Sequence, residues 1–194
     1  MSAVEIQIGG FGGQGVILAG MTIGRGLALH ENYHVSLTQS FGPEARGSAC
    51  SVQLIVSPEP VLYPYLTNPH ILVAMSQEAY RRFAPRLRPG GTLIIEEDLV
   101  RPDSIVRDPC PEGERRVQLY RVPAMRLAEE LGRKMILNIV LVGFFTAVTG
   151  LLGPEAARKA VAESVPHGTE ALNLAAFEKG YACGLAQANQ LNPV

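Results

Sequence analysis

No Cys-x-x-Cys pair occurs in this 194-residue chain, and its three cysteines, Cys50, Cys110 and Cys183, lie far apart. An iron–sulfur cluster usually takes about four thiolates, so the chain has too few to hold one alone. A disulfide framework is excluded for the same reason. The cysteines read as small buried hydrophobes in a reducing compartment. Charge is also scarce. Charged residues make up 18% of the chain, against about 25% in ordinary soluble domains, while the apolar share of 47% is unremarkable. So little solvating surface hints at contact with other subunits. The net charge is −1, from 17 basic and 18 acidic residues. The absence of a basic run argues against a nucleic-acid partner. No charged segment precedes an apolar one at the N-terminus, so no signal peptide is expected. His30, His34, His70 and His167 show no metal-ligand spacing and read as surface or capping residues. Ser40 and Cys50 flank Arg46 without an identifiable base, so no nucleophile is expected.

What is present is patterned along the whole length, which excludes general disorder. The chain is long enough for one domain with a core of its own. Residues 4–8 alternate apolar and polar and run into Gly9-Gly10, which reads as a strand entering a turn. Residues 14–30 read as a helix, 34–38 as a short strand, 39–48 as a loop and 49–57 as a third strand. Apolar runs at 70–75 and 92–96 have the character of buried strands, and Ser76 is placed to cap a helix reaching about Ala84. A last strand is expected at 117–122, then helices over 123–132, 135–152, 154–163 and 168–188. Residues 135–152 (MILNIVLVGFFTAVTGLL) carry no charge and reach the minimum length for a membrane span. Asn138, Gly143, Thr146, Thr149 and Gly150 interrupt the run, so it reads as a buried or interfacial core helix, with no membrane partner. The sum is an α/β three-layer sandwich with a mainly parallel sheet and a helical C-terminal third packed on that sheet. A single domain over residues 1–194 is expected.

Two segments point to chemistry. Gly10, Gly12 and Gly15, with Gly13 and Gln14 between them, match G-x-G-x-x-G after a strand and before a helix. Such a turn lets the backbone approach a ligand closely and offers a helix N-terminus to an anion. A dinucleotide site also expects a carboxylate at the end of the second strand, yet Ser36-Leu37-Thr38-Gln39 contains none before Glu44, and the lysine of a phosphate loop is missing. A free-standing nucleotide-binding domain and a tight turn without a ligand both stay open. The second segment, Phe41-Gly42-Pro43-Glu44-Ala45-Arg46-Gly47-Ser48, brings both signs of charge into a loop framed by glycine and proline. In a parallel sheet it shares the carboxyl edge with the glycine loop, so the two are expected to adjoin. Arg46 suits a bidentate clamp on a carboxylate or phosphate, or an ion pair with a partner chain. A held shape favours a binding or docking role. Glu96-Glu97-Asp98, at the end of a strand, reads as a solvated strand end.

GGFGGQGV followed by SFGPEARGS resembles the gamma subunit of 2-oxoacid:ferredoxin oxidoreductases. The resemblance continues through Val122-Pro123-Ala124, RLAEELG, the long apolar stretch and Ala176-Phe177-Glu178-Lys179-Gly180-Tyr181, so it spans nearly the whole chain. It implies a multichain enzyme that oxidatively decarboxylates a 2-oxoacid with coenzyme A, giving acyl-CoA, carbon dioxide and reduced ferredoxin. Thiamine diphosphate and [4Fe–4S] clusters would then sit in partner subunits, named alpha, beta and a ferredoxin-like delta, with ferredoxin as acceptor. This chain would bind no cofactor alone and would be inactive in isolation, in the cytoplasm. PEARG looks closer to the 2-oxoglutarate type than to the pyruvate type. Ser48-Ala49-Cys50 departs from the family pattern, which more often has another glycine and no thiol. The residues that would meet a ligand or a neighbouring subunit are Gly10, Gly12, Gly13, Gln14 and Gly15, with Gly42, Pro43, Glu44, Arg46 and Gly47.

Overall fold

The computed structural model describes residues 3–42, 47–102 and 116–191. Six strands form one sheet: β1 (Val4–Phe11), β2 (His34–Phe41), β3 (Ala49–Ser57), β4 (Ile71–Ala74), β5 (Thr92–Glu96) and β6 (Gln118–Val122). Their order is β2-β3-β1-β4-β5-β6. β1, β4, β5 and β6 pair in parallel, whereas β3 runs antiparallel to both β1 and β2. β2 therefore points the same way as β1, and β3 alone is reversed. The sheet is mixed, with a β2–β3 hairpin where a wholly parallel sheet would need a crossover.

Among the described residues the α-helices are α1 (Val16–Arg25), α2 (Gln77–Phe83), α3 (Ala124–Glu130), α4 (Leu137–Thr149), α5 (Pro154–Ser164) and α6 (Glu170–Leu191). α1 runs on through a π-helical turn, Gly26–His30. α2 starts where Ser76 Oγ accepts the Ala79 amide and continues as a 3-10 turn, Ala84–Arg86. Most boundaries lie within three residues of the sequence reading. One correction is informative. Gly9 and Gly10 lie inside β1, opposite Ser51 and Cys50, and the turn begins only after Phe11. Gly9 is needed there because a Cβ would meet Ala79 Cβ and Phe83 Cε2 at 2.9 Å, so α2 rests directly on the strand.

The two faces of the sheet are covered unequally. On one face Ile6, Ile8, Val52, Leu54, Val73, Ile94 and Tyr120 pack against α1, α4 and α5 in the main core. On the other, Leu72, Leu93 and Ile95 meet Tyr80 and Phe83 of α2 in a smaller one. The C-terminal helices do not all lie on the sheet. α4 does, with Phe144 edge-on to Tyr120 at 6.5 Å; α6 packs mainly over α4 as an outer layer. Backbone contact between those two helices is very close. Cβ atoms at Gly143 or Gly180 would overlap the carbonyls of Phe177 and Val140, and one at Gly184 would lie 2.7 Å from Ala147 Cβ. At 13 residues, α4 is about 20 Å long, against a hydrocarbon core of about 30 Å. No helix among the described residues is long and apolar enough to cross a membrane.

Among the described residues, no strand pairs with the outer edge of β2 or of β6. At β6, Gln187 of α6 accepts the Arg121 amide at 3.1 Å and donates to the Arg121 carbonyl, pairing with the edge as a strand would.

Candidate functional site

β1 ends at Phe11, and the chain then turns through Gly12 to Gly15 into α1. Gly13 (φ 96°) and Gly15 (φ 73°) are in the left-handed region that favours glycine. Gln14 holds the turn from inside. Its Oε1 accepts the Phe11 amide at 2.7 Å, and its Nε2 donates to the Met75 carbonyl at the end of β4, 2.9 Å away. Gln14 is thus a brace for the loop. A second brace comes from α4. The Asn138 amide lies 3.4 Å from the Gly15 carbonyl, and a Cβ on Gly15 would come within 2.6 Å of Asn138 Nδ2. Sequence reasoning did not connect Asn138 to the loop; its signal was an amide in an otherwise apolar helical run.

The expected neighbourhood of the two loops is present. The Gly12 amide donates to the Ser48 carbonyl at 2.9 Å, the Gly47 amide to the Gly12 carbonyl at 3.3 Å, and the Gly42 amide to the Ala49 carbonyl at 3.1 Å. The two meet because β3, rather than β2, is the neighbour of β1 and starts where the glycine turn starts. Pro43, Glu44 and Arg46 lie outside the described residues, as does Cys110.

Between the loops opens a cleft of about 620 Å³ lined by Phe11, Gly12, Gly13, Gly15, Val16, Ile17, Phe41, Gly42, Ser48 and Cys50. That volume falls in the range of small-molecule sites. Its side chains are apolar except for Ser48 and the Cys50 thiol. Phe41 is 67% exposed at its mouth. No side chain caps α1, so its first-turn amides face this end of the sheet with only Gly15 before them. The cleft offers shape, apolar surface and backbone donors. Among the described residues it holds no charged group and no acid–base pair. Burial pushes the Cys50 thiol up, away from nucleophilic use.

Elsewhere the polar candidates are structural. Glu96 is fully buried, which corrects the expectation of a solvated strand end. Its Oε2 accepts the Asp98 and Leu99 amides at 2.8 Å, and its Oε1 the Met125 amide at 3.2 Å, tying the end of β5 to the start of α3. Burial raises the Glu96 carboxyl above the ordinary carboxylate value, although the three amides pull the other way. His70 is half-buried, with its Nδ1 accepting the Glu5 amide and its Nε2 against Arg88. Burial, with Arg88, holds it below the ordinary histidine value. No group of three or more metal-ligating side chains occurs among the described residues.

Fold and site together define an α/β subunit with a ligand-sized loop cleft and no catalytic constellation of its own among the described residues. The model of the family pyruvate ferredoxin/flavodoxin oxidoreductase matches residues 5–183. The 2-oxoglutarate synthase subunit KorC of Methanocaldococcus jannaschii is 43% identical over 91% of each chain. A crystal structure of the gamma subunit of a keto/oxoacid ferredoxin oxidoreductase from Geobacter sulfurreducens superposes with a TM-score of 0.77 at 33% identity, covering 94% of this chain and 99% of that one. A 2-oxoglutarate:ferredoxin oxidoreductase from Magnetococcus marinus shares the fold at a TM-score of 0.81 and 24% identity, over 96% of this chain and 32% of that one. The chain belongs to the pyruvate ferredoxin/flavodoxin oxidoreductase family and is a gamma-type subunit of a 2-oxoacid:ferredoxin oxidoreductase. That membership removes the reading as a free-standing nucleotide-binding domain.

Proposed function

We propose that residues 1–194 form one gamma-type unit of a 2-oxoglutarate-oxidising enzyme, and that the cleft between its two loops receives part of the coenzyme A substrate. The cleft itself carries this reading: about 620 Å³, apolar walls and the uncapped first-turn amides of α1. Phe41 and Ile17 offer apolar surface to a pantetheine-like chain, the uncapped first-turn amides of α1 suit its phosphates, and the sequence of the second loop adds a guanidinium of matching chemistry at Arg46. The chain's work is then to bind, orient and exclude water, while partner subunits do the chemistry. The 2-oxoglutarate assignment is supported by the KorC relatives and by PEARG in the second loop. Thiamine diphosphate and [4Fe–4S] clusters belong to alpha, beta and delta partners in this reading, ferredoxin takes the electrons, and the complex works in the cytoplasm.

The test uses the assembled complex with Gly12→Ala or Arg46→Ala in this chain. The expected result is intact assembly with a coenzyme A KM raised about tenfold or more and a smaller change in the 2-oxoglutarate KM. Lost assembly at unchanged folding would make the loops docking elements instead.

A further inference from the structure

The face of the sheet opposite the main core is covered by α2, which lies over β1 and β4 and reaches β3, while no helix among the described residues lies over β2 on that face. There a polar groove of about 300 Å³ runs between Thr38, Gln39, Ser40, Ser51 and Gln53 on the strands and Arg82, Arg86 and Tyr65 on its walls. Its floor is ordered: Thr38 Oγ1 donates to Gln53 Oε1, and Gln53 Nε2 donates to Gln7 Oε1 at 3.1 Å. Arg82, in α2, and Arg86, at the end of its 3-10 extension, are both exposed and both line the groove. Neither forms an ion pair among the described residues, in contrast to Arg126 and Arg158, each of which pairs with two carboxylates. Arg82 lies over the Phe83 ring at 5.3 Å. Glu78, one turn before Arg82, is the carboxylate nearest along the helix and pairs with neither arginine.

The rim is apolar and built. Tyr63 packs edge-on against the groove-lining Tyr65 at 5.5 Å, both open to solvent, and Leu62, next to Tyr63 in the chain, is 94% exposed. This segment is pinned below the sheet, where Glu5 Oε2 accepts the Thr67 and Asn68 amides at 3.1 and 3.0 Å. Tyrosine and arginine around a groove, with an exposed leucine beside them, is the composition of a protein-contact centre. A pinned rim lowers the ordering cost of binding.

We propose that this groove docks an extended acidic segment of a partner subunit, with two carboxylates meeting Arg82 and Arg86 and an apolar side chain meeting Tyr63 and Leu62. The charge on this side dictates the chemistry: two arginines that form no ion pair among the described residues, over a floor of hydroxyls and amides, suit carboxylates bidentately. Ser40 and Ser51 of the groove alternate with Phe41 and Cys50 of the cleft along β2 and β3, so the groove and the cleft lie on opposite faces of the sheet. The inference rests on the chain's place in a multisubunit enzyme.

The experiment co-expresses the complex with R82E/R86E in this chain, and with R133E, at another exposed arginine, as the control. Assembly is read by native mass spectrometry, folding by the melting temperature of the isolated chain. A photo-crosslinking residue at Tyr63 in the otherwise native chain reports the contact. Expected are an affinity for the partners weakened about 100-fold or more by the double reversal, no such loss for R133E, an unchanged melting temperature, and a crosslink to an acidic stretch of one partner. Full assembly of R82E/R86E overturns the inference. So does full assembly with a raised KM for an anionic substrate, which would make the groove a small-anion site. If the unaltered chain fails to assemble, the gamma-subunit reading itself fails, a result distinct from either.

Discussion

Glycines at two places in this molecule do opposite work. Gly13 and Gly15 in the loop both have positive φ; at Gly13 conformation is the whole reason, since a Cβ there would meet nothing within 4 Å, while Gly15 also leaves room for Asn138. Gly143, Gly180 and Gly184, between α4 and α6, are there for space, since a Cβ on any of them would press into the facing helix. The first pair shapes the cleft proposed to receive coenzyme A; the second set lets an outer helix lie on a buried one at backbone distance. Substitution should therefore separate function from stability.

The largest effect is expected from Gly180→Ala. The Val140 carbonyl cannot move without disturbing α4, so overpacking there should cost about 3 kcal/mol or more. Thermal unfolding of the isolated chain checks it, and a loss below 1 kcal/mol would mean that the helices separate easily. Next comes Glu96→Gln. One of the three amides loses its acceptor, at about 1–3 kcal/mol. The pH dependence should change as well. A carboxyl raised in the folded state binds its proton more tightly there than in the unfolded chain. Its contribution therefore favours folding below the ordinary carboxylate value of 4.5 and is lost as pH rises through the higher folded value. Denaturant titrations at a series of pH values should show that fall in the native chain and not in Glu96→Gln. The smallest stability effect belongs to Gly13→Ala, about 1–2 kcal/mol of left-handed strain, with a KM change out of proportion to it. Equal effects of Gly13→Ala on stability and on KM would erase the contrast between the two sets of glycines.

Much of this architecture was legible in the chain. The strands at 70–75 and 92–96 and the Ser76 cap follow from apolar runs and one hydroxyl. The reversal of β3 was legible in principle. Only about ten residues separate the second and third strands, and a parallel crossover needs a dozen or more, so a hairpin was the remaining connection. Gly9-Gly10 misled because a glycine pair signals a turn by its local freedom; here tertiary contact with α2 selects glycine within a strand. The loops of the site were legible as motifs and their adjacency followed from topology. Their bracing was not. Asn138 reaches Gly15 across more than a hundred residues, and Gln14 reaches Met75 across 61. Glu96 looked solvated because its burial depends on amides contributed from the turn after β5 and from α3.

The most direct test of the account is an anaerobic pull-down of the tagged full chain, with assay of 2-oxoacid-dependent dye reduction in the presence of coenzyme A. Stoichiometric recovery of partner chains that carry thiamine diphosphate and iron–sulfur clusters, with activity on 2-oxoglutarate, is the predicted result. A lone, inactive monomer that binds NAD at micromolar concentration would contradict it.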